Sequence, residues 1–148
     1  MRRESTVLDQ FIDSEDGTWR PLIGYPEMCV IKKYSSYSVG QPYQVGTCNV
    51  DKRKSKFGYN PVTGFLSHQS DKTEWNNFCV KANDSNNSRL VVAVCDANDD
   101  SMVWDYDSLN GHVHLRSDRK RCIVVGPIPV DSWMKISNKC ATNAFGRF

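Results

Sequence analysis

Long apolar runs are missing from this chain. No stretch approaches the roughly 18 consecutive apolar residues of a membrane-spanning helix, so no membrane span is expected. The opening Met1-Arg2-Arg3-Glu4-Ser5-Thr6 has no apolar segment of the kind a signal peptide carries. The expectation is a chain whose leader has been removed, or a piece of a longer protein. Charge of one sign is also lacking: the net charge is +2, and Lys and Arg are scattered. A nucleic-acid partner, which needs a basic face, is not expected. The densest basic run, Asp51-Lys52-Arg53-Lys54-Ser55-Lys56, reads as a solvated loop. There is no Gly-x-Ser-x-Gly elbow, no phosphate loop and no close Cys-x-x-Cys pair of the zinc type. These absences point away from an enzyme, a cofactor and a resident metal.

What is present is a chain of 148 residues, 39% apolar and 24% charged, enough for one folded core. Its six cysteines, Cys29, Cys48, Cys79, Cys95, Cys122 and Cys140, fall in successive pairs 19, 16 and 18 positions apart. Six cysteines allow fifteen pairings. The recurrence of the surrounding residues selects the sequential one, because equivalent residues of a repeat occupy equivalent places: Cys29 with Cys48, Cys79 with Cys95, Cys122 with Cys140.

The repeat is clearest when the chain is cut before an aromatic. Phe11-Ile12-Asp13-Ser14-Glu15-Asp16-Gly17, Phe57-Gly58-Tyr59-Asn60-Pro61-Val62-Thr63-Gly64 and Trp104-Asp105-Tyr106-Asp107-Ser108-Leu109-Asn110-Gly111 each read aromatic, short strand, polar turn, glycine. The aromatics stand 46 and 47 positions apart. Each glycine falls in a hairpin connection that requires positive φ, and an alternating strand follows, as in His112-Val113-His114-Leu115. A cysteine with apolar followers comes next, then a loop, then a strand running into the second cysteine, so each cysteine pair joins the strands of a second hairpin. From each second cysteine to the next aromatic, Phe57, Trp104 or Phe148, the chain runs nine, nine and eight positions. Three units of four strands predict twelve strands in a closed all-β fold, with the Phe11–Leu22 hairpin completing the third unit. Residues 1–10 form an N-terminal extension, and 11–148 one domain with units of about 11–56, 57–103 and 104–148.

This arrangement resembles the ricin-B-type β-trefoil family, whose units carry a cysteine hairpin and a Gln-x-Trp signature. Here Phe57 and Trp104 hold the Trp position and Ser55 and Met102 the Gln position. The plan is also similar to the cysteine-rich amino-terminal domain of mannose-receptor-like proteins. The resemblance implies a pseudo-threefold β-trefoil with one disulfide per unit and a carbohydrate-recognition or glycan-associated module. The alternative is a trefoil that has lost sugar binding and serves as a structural or protein-docking part of a larger assembly.

Closing loops of 16 to 19 residues stabilises the fold by roughly 3 kcal/mol per bridge on a chain-entropy view. Such bridges place the chain in an extracellular, cell-surface or lumenal setting. Two sequons, Asn83-Asp84-Ser85 and Asn86-Asn87-Ser88, make Asn83 and Asn86 candidates for glycosylation.

Sugar-binding units of the resembled family place an acidic residue two positions after the first cysteine and an aromatic two before the second. In this chain those places hold Ile31, Lys81 and Val124, and Gly46, Ala93 and Asn138. A sugar needs converging polar groups and a flat apolar surface, so the usual pocket is not expected. A displaced pocket is placed at Asp131, Trp133 and Asn138, with the covering of the core end as the other role for Trp133. Trp75 is a contact residue or a lid, and Lys81 with Arg89 offers charge to an anionic group. His112 and His114 alternate along one strand and share a face, a spacing open to a metal but expected to be a solvated surface.

Overall fold

A computed structural model describes residues 11–12, 17–21, 25–32, 38–48, 56–69, 76–83, 88–126, 133–140 and 148. Among the described residues ten strands are formed: β1 (Met28–Lys32), β2 (Tyr43–Thr47), β3 (Phe57–Tyr59), β4 (Leu66–His68), β5 (Phe78–Ala82), β6 (Leu90–Val94), β7 (Trp104–Asp107), β8 (His112–Leu115), β9 (Asp118–Val125) and β10 (Met134–Ser137). The isolated bridge Ile12↔Trp19 opens the first unit. Ten of the twelve expected strands are thus formed among the described residues, and the bridge marks the place of the other two. No described helix is long and apolar enough to cross a membrane.

Each unit is an antiparallel meander. The orders β3-β4-β5-β6 and β7-β8-β9-β10 are the same walk twice. In the first unit β1 pairs β2, and Val30 N–H donates to the Trp19 carbonyl at 2.8 Å, attaching the opening hairpin. The alternation of apolar and polar residues turns every second side chain inward. Facing pairs Val30↔Val45, Val80↔Val92 and Ile123↔Ile136 hold one place in the three units, and all six belong to one buried cluster.

The threefold relation is visible in the bridges between units. Registers within the cysteine hairpins make Pro42, Arg89 and Trp133 equivalent, and likewise Gln44, Val91 and Lys135. The bridges then run in a ring: Pro42↔Val91, Arg89↔Lys135, Trp133↔Gln44. The first set of each unit meets the second set of the next, and the last returns to the first. The β-trefoil is thus closed by its own backbone.

The glycines behave alike. Gly17, Gly64 and Gly111 have φ of 72°, 79° and 78°, and their carbonyls accept from the N–H of Phe57, Trp104 and Phe148 at 2.6, 2.8 and 2.6 Å. These aromatics are therefore the equivalent trio. This corrects the grouping of Phe11 with Phe57 and Trp104: Phe11 stands one residue nearer its glycine than they do. Its ring is instead wedged between Tyr59 and Tyr106, with centroids 5.1 and 4.9 Å away. Those tyrosines donate to the carbonyls of Trp104 and Phe148, both at 2.9 Å. Ile12, their counterpart in the first unit, has no hydroxyl, and the neighbouring Phe11 ring fills the centre.

Polar groups also lie in the core. Tyr43 Oη and His68 Nε2 lie 2.6 Å apart inside the protein, with Lys32 buried nearby. Burial foremost, and the Lys32 charge second, hold the His68 imidazole down at about 3. The unfolded chain takes up this proton near pH 6.5, whereas the folded protein resists it. Stability from this group is complete above pH 6.5 and declines as pH falls toward 3. We expect His68→Gln to flatten urea-unfolding free energies between pH 6.5 and 4; an unchanged slope would refute this origin. At Gly64 an added Cβ meets Val103 Cγ1 at 2.6 Å and the Trp104 backbone at 3.0 Å in a left-handed conformation. Gly64→Ala is expected to lose about 1–3 kcal/mol in the same assay.

Candidate functional site

The three places where the resembled family binds sugar are occupied by other chemistry. In the first unit Cys29 faces Gly46, and Ile31 packs with Cys29 and Cys48 in a small buried cluster. A Cβ on Gly46 would come within 2.5 Å of Ile31 Cδ1, so glycine is what allows Ile31 to lie across the strand. Hydrocarbon fills this pocket.

In the second unit Lys81 Nζ is 2.9 Å from Asp99 Oδ2. Asp99 caps the 3-10 turn Asp100–Met102 and accepts from Ser101 N at 3.0 Å and Ser101 Oγ at 2.5 Å. The Ser101 hydroxyl first, and Lys81 next, hold the Asp99 carboxyl at about 2. Lys81 is thus engaged with a carboxylate, which removes it from the anion site suggested with Arg89. Arg89 is itself occupied: its guanidinium lies 4.1 Å from the centre of the Trp133 ring. Met102, at the degenerate Gln position, packs beneath the second disulfide with Ala93 and Phe65.

In the third unit Val124 faces Lys135, and Cys122 faces Ser137. Ser137, which faces Cys122, thus lies three positions before Cys140, whereas Gly46 and Ala93 lie two before Cys48 and Cys95. Counting back from Cys140 selects Asn138, but Ser137 is the residue equivalent to Gly46 and Ala93. The extra residue, Asn138, is exposed beyond the strand end.

Asn138 lines a cleft of about 440 Å³ together with Ser88, Arg121 and Ile136. The cleft lies where the second and third units meet, next to the Arg89↔Lys135 bridge. Ser88 takes a left-handed backbone with φ 59° immediately before Arg89, rare for a residue with a side chain. Arg121, Ile136 and Asn138 come from the two strands of the third cysteine hairpin and its end. The cleft therefore offers a hydroxyl, a guanidinium and an amide beside a mostly buried isoleucine.

Of the displaced pocket expected from the sequence, Asn138 lines this cleft and Trp133 does not. Trp133 is half-buried at the ring of inter-unit bridges and covered by Arg89. Asp131, Trp75 and Asn86 lie outside the described residues, as do the 51–55 loop residues. Asn83 stands at the base of the β5–β6 hairpin, its N–H donating to the Arg89 carbonyl at 3.2 Å. Ser88 and Arg121 were missed because they become neighbours only through the closure of the second unit on the third.

The histidine strand also differs from expectation. His112 and His114 share a face, but that face is not solvated. His114 is buried, with Nδ1 2.8 Å from the Leu115 carbonyl oxygen. His112 is half-buried against the third disulfide, its nearest ring nitrogen and both sulfurs lying within 4.8 Å of one another. All three disulfides join the expected partners, with Cα separations of 4.8, 5.1 and 5.2 Å.

No protein-family model matches the sequence, and none of the curated proteins searched matches it. Among solved structures, the chain is similar to a crystal structure of GalNAc-T7 with UDP, GalNAc and Mn2+, at 15% identity and a TM-score of 0.60 over 82% of this chain. The match spans 19% of the GalNAc-T7 chain. At that identity the likeness bears on the fold alone, an all-β trefoil. Three bridges in such a fold are consistent with an oxidising compartment.

The Asp99 geometry is open to test. A carboxyl held low contributes stability above its ordinary value of 3.8, and this is lost as pH falls toward 2. Asp99→Asn is expected to cost at most about 1 kcal/mol near neutral pH, since the pair is partly exposed. The cost should vanish by about pH 2; a penalty that persists there in chemical denaturation would refute the ion-pair origin.

Proposed function

We propose that this chain is a carbohydrate-binding module of an extracellular or lumenal protein, not itself an enzyme, with its site in the cleft between the second and third units. One observation carries the reading: Ser88, Arg121 and Asn138 converge beside Ile136 in a cleft of about 440 Å³, while the family's usual places are filled. A sugar ring presents hydroxyls that need both donors and acceptors, and a C–H face that needs apolar contact. The amide and hydroxyl do both, the guanidinium donates, and Ile136 supplies the apolar contact. Trp133 supports the site by carrying Arg89 beside Ser88. Likeness in fold to a structure holding GalNAc supports the same ligand class, as does the resemblance to ricin-B-type units.

The same filled pockets favour a second reading, in which sugar binding is lost and the trefoil docks protein partners. Ile31 over Gly46 and Lys81 on Asp99 leave no site in the first two units of the familiar kind. A glycan array of neutral and anionic sugars, followed by calorimetry, separates the two. Binding is expected, and Asn138→Ala should weaken it roughly tenfold or more through loss of a hydrogen-bonding group, with the unfolding midpoint unchanged. A silent array, or affinity untouched by both Asn138→Ala and Arg121→Gln, would overturn the cleft and favour the docking role.

A further inference from the structure

The third disulfide differs from the other two in its surroundings. Cys29–Cys48 packs on Ile31, with the Pro26 carbonyl 3.6 Å from Cys48 Sγ, and Cys79–Cys95 packs on Met102, Ala93 and Phe65, with Cys95 half-buried. Apolar neighbours of this kind disfavour a thiolate, and neither of these bridges has a histidine beside it among the described residues. Around Cys122–Cys140 the described neighbours are polar: the carbonyls of Arg119 and Lys120 lie within 4.0 Å of Cys140 Sγ, and a ring nitrogen of His112 lies within 4.8 Å of both sulfurs. Cys140 is half-buried at the strand end and Cys122 is fully buried, so the sulfur that meets solvent belongs to Cys140.

We propose that Cys122–Cys140 is the bridge a thiol reductant opens first, and that the dithiol with His112 forms a binding site for a thiophilic divalent cation of the zinc or cadmium type. The thiolate of a dithiol reductant attacks Cys140 Sγ, the S–S bond breaks, and the electron pair leaves on Cys122 Sγ. The second thiol of the reductant then displaces Cys140, and the reductant departs as its own disulfide. The protein gains two electrons and two protons, and metal binding releases the thiol protons.

The backbone keeps these groups together once the bridge is gone. Cys122 remains paired with Ser137 in the β9–β10 ladder and with His114 in the β8–β9 ladder, which fixes its sulfur near the Cys140 end and near His112 two residues away. Sulfur and nitrogen donors around zinc at about 2.0–2.3 Å stand roughly 3.3–3.8 Å from one another, a spread that the 4.8 Å cluster reaches by small side-chain rotations. Two thiolates and one imidazole leave a fourth position for water. Among the described residues no other bridge has a histidine so placed.

The test uses the intact chain and graded additions of dithiothreitol, removed under anaerobic gel filtration before any metal is added. Thiol alkylation and peptide mapping should find Cys122 and Cys140 labelled before the other four. The singly reduced protein should then bind one equivalent of Cd2+ with a thiolate-to-cadmium absorption band, displaced by Zn2+. His112→Ala should weaken binding roughly 10–100-fold or more, and His112→Cys should restore it. Earlier opening of another bridge, equal Cd2+ binding by oxidised protein, or affinity unchanged in His112→Ala would overturn the proposal. None of these outcomes depends on whether the inter-unit cleft holds a sugar.

Discussion

Three strands, each from a different unit, meet around one axis, and every other feature is arranged to let them do so. β2, β6 and β10 are linked by Pro42↔Val91, Arg89↔Lys135 and Trp133↔Gln44, a cycle that closes only if all three units have the same shape. A ring of this kind leaves few free edges to pair with other chains. It also forces the interior to be shared: Val45, Val92 and Ile136, from the three closing strands, lie in one cluster with Trp19, Leu66 and Val113. Unit stability and ring stability are therefore the same quantity, and each cysteine bridge locks a hairpin that the ring requires.

Much of this was legible in the sequence because the repeat leaves two independent marks. Cysteine spacing set the second hairpins, and the structure pairs the same cysteines. Glycine spacing set the first hairpins, and Gly17, Gly64 and Gly111 do adopt positive φ. The aromatic mark was the less faithful one. Its intervals of 46 and 47 positions disagree, whereas the glycines keep 47 in both. Steric necessity binds glycine to its place more tightly than hydrophobic burial binds a ring. A ring one residue out of register still finds the core, as Phe11 does between two tyrosines.

The candidate site was less legible, for a physical reason. Ser88 and Arg121 are 33 positions apart and belong to different units, so no local pattern joins them. Asn138 was reached by counting from Cys140, yet the strand there carries one residue more before its cysteine than the other two. That residue projects into the cleft instead of facing the first cysteine. Trp133 and Arg89 each looked available to a ligand, but equivalence around the axis brings them together, and a cation over an indole face satisfies both. The histidines illustrate the same limit: alternation places two rings on one face but does not say that the third disulfide will lie against it.

Symmetry also shows where this protein has been free to change. The inward positions Val30, Val80 and Ile123 keep their chemistry because each faces the same shared core, whereas the next inward place holds Lys32, Ala82 and Val125. Outward positions beside the bridges have separated into Ile31, Lys81 and Val124, with three different neighbours: a glycine strand, a carboxylate and a lysine-bearing strand. A residue there answers to its own unit alone, so its replacement does not disturb the ring. The cysteines stand at the boundary between these regimes, fixed by the hairpin yet surrounded by unit-specific side chains. One bridge packs on Ile31, another on Met102, and the third lies beside a histidine. Identical covalent links thereby acquire different chemical environments, and the threefold frame permits this because their strands are already held by the backbone.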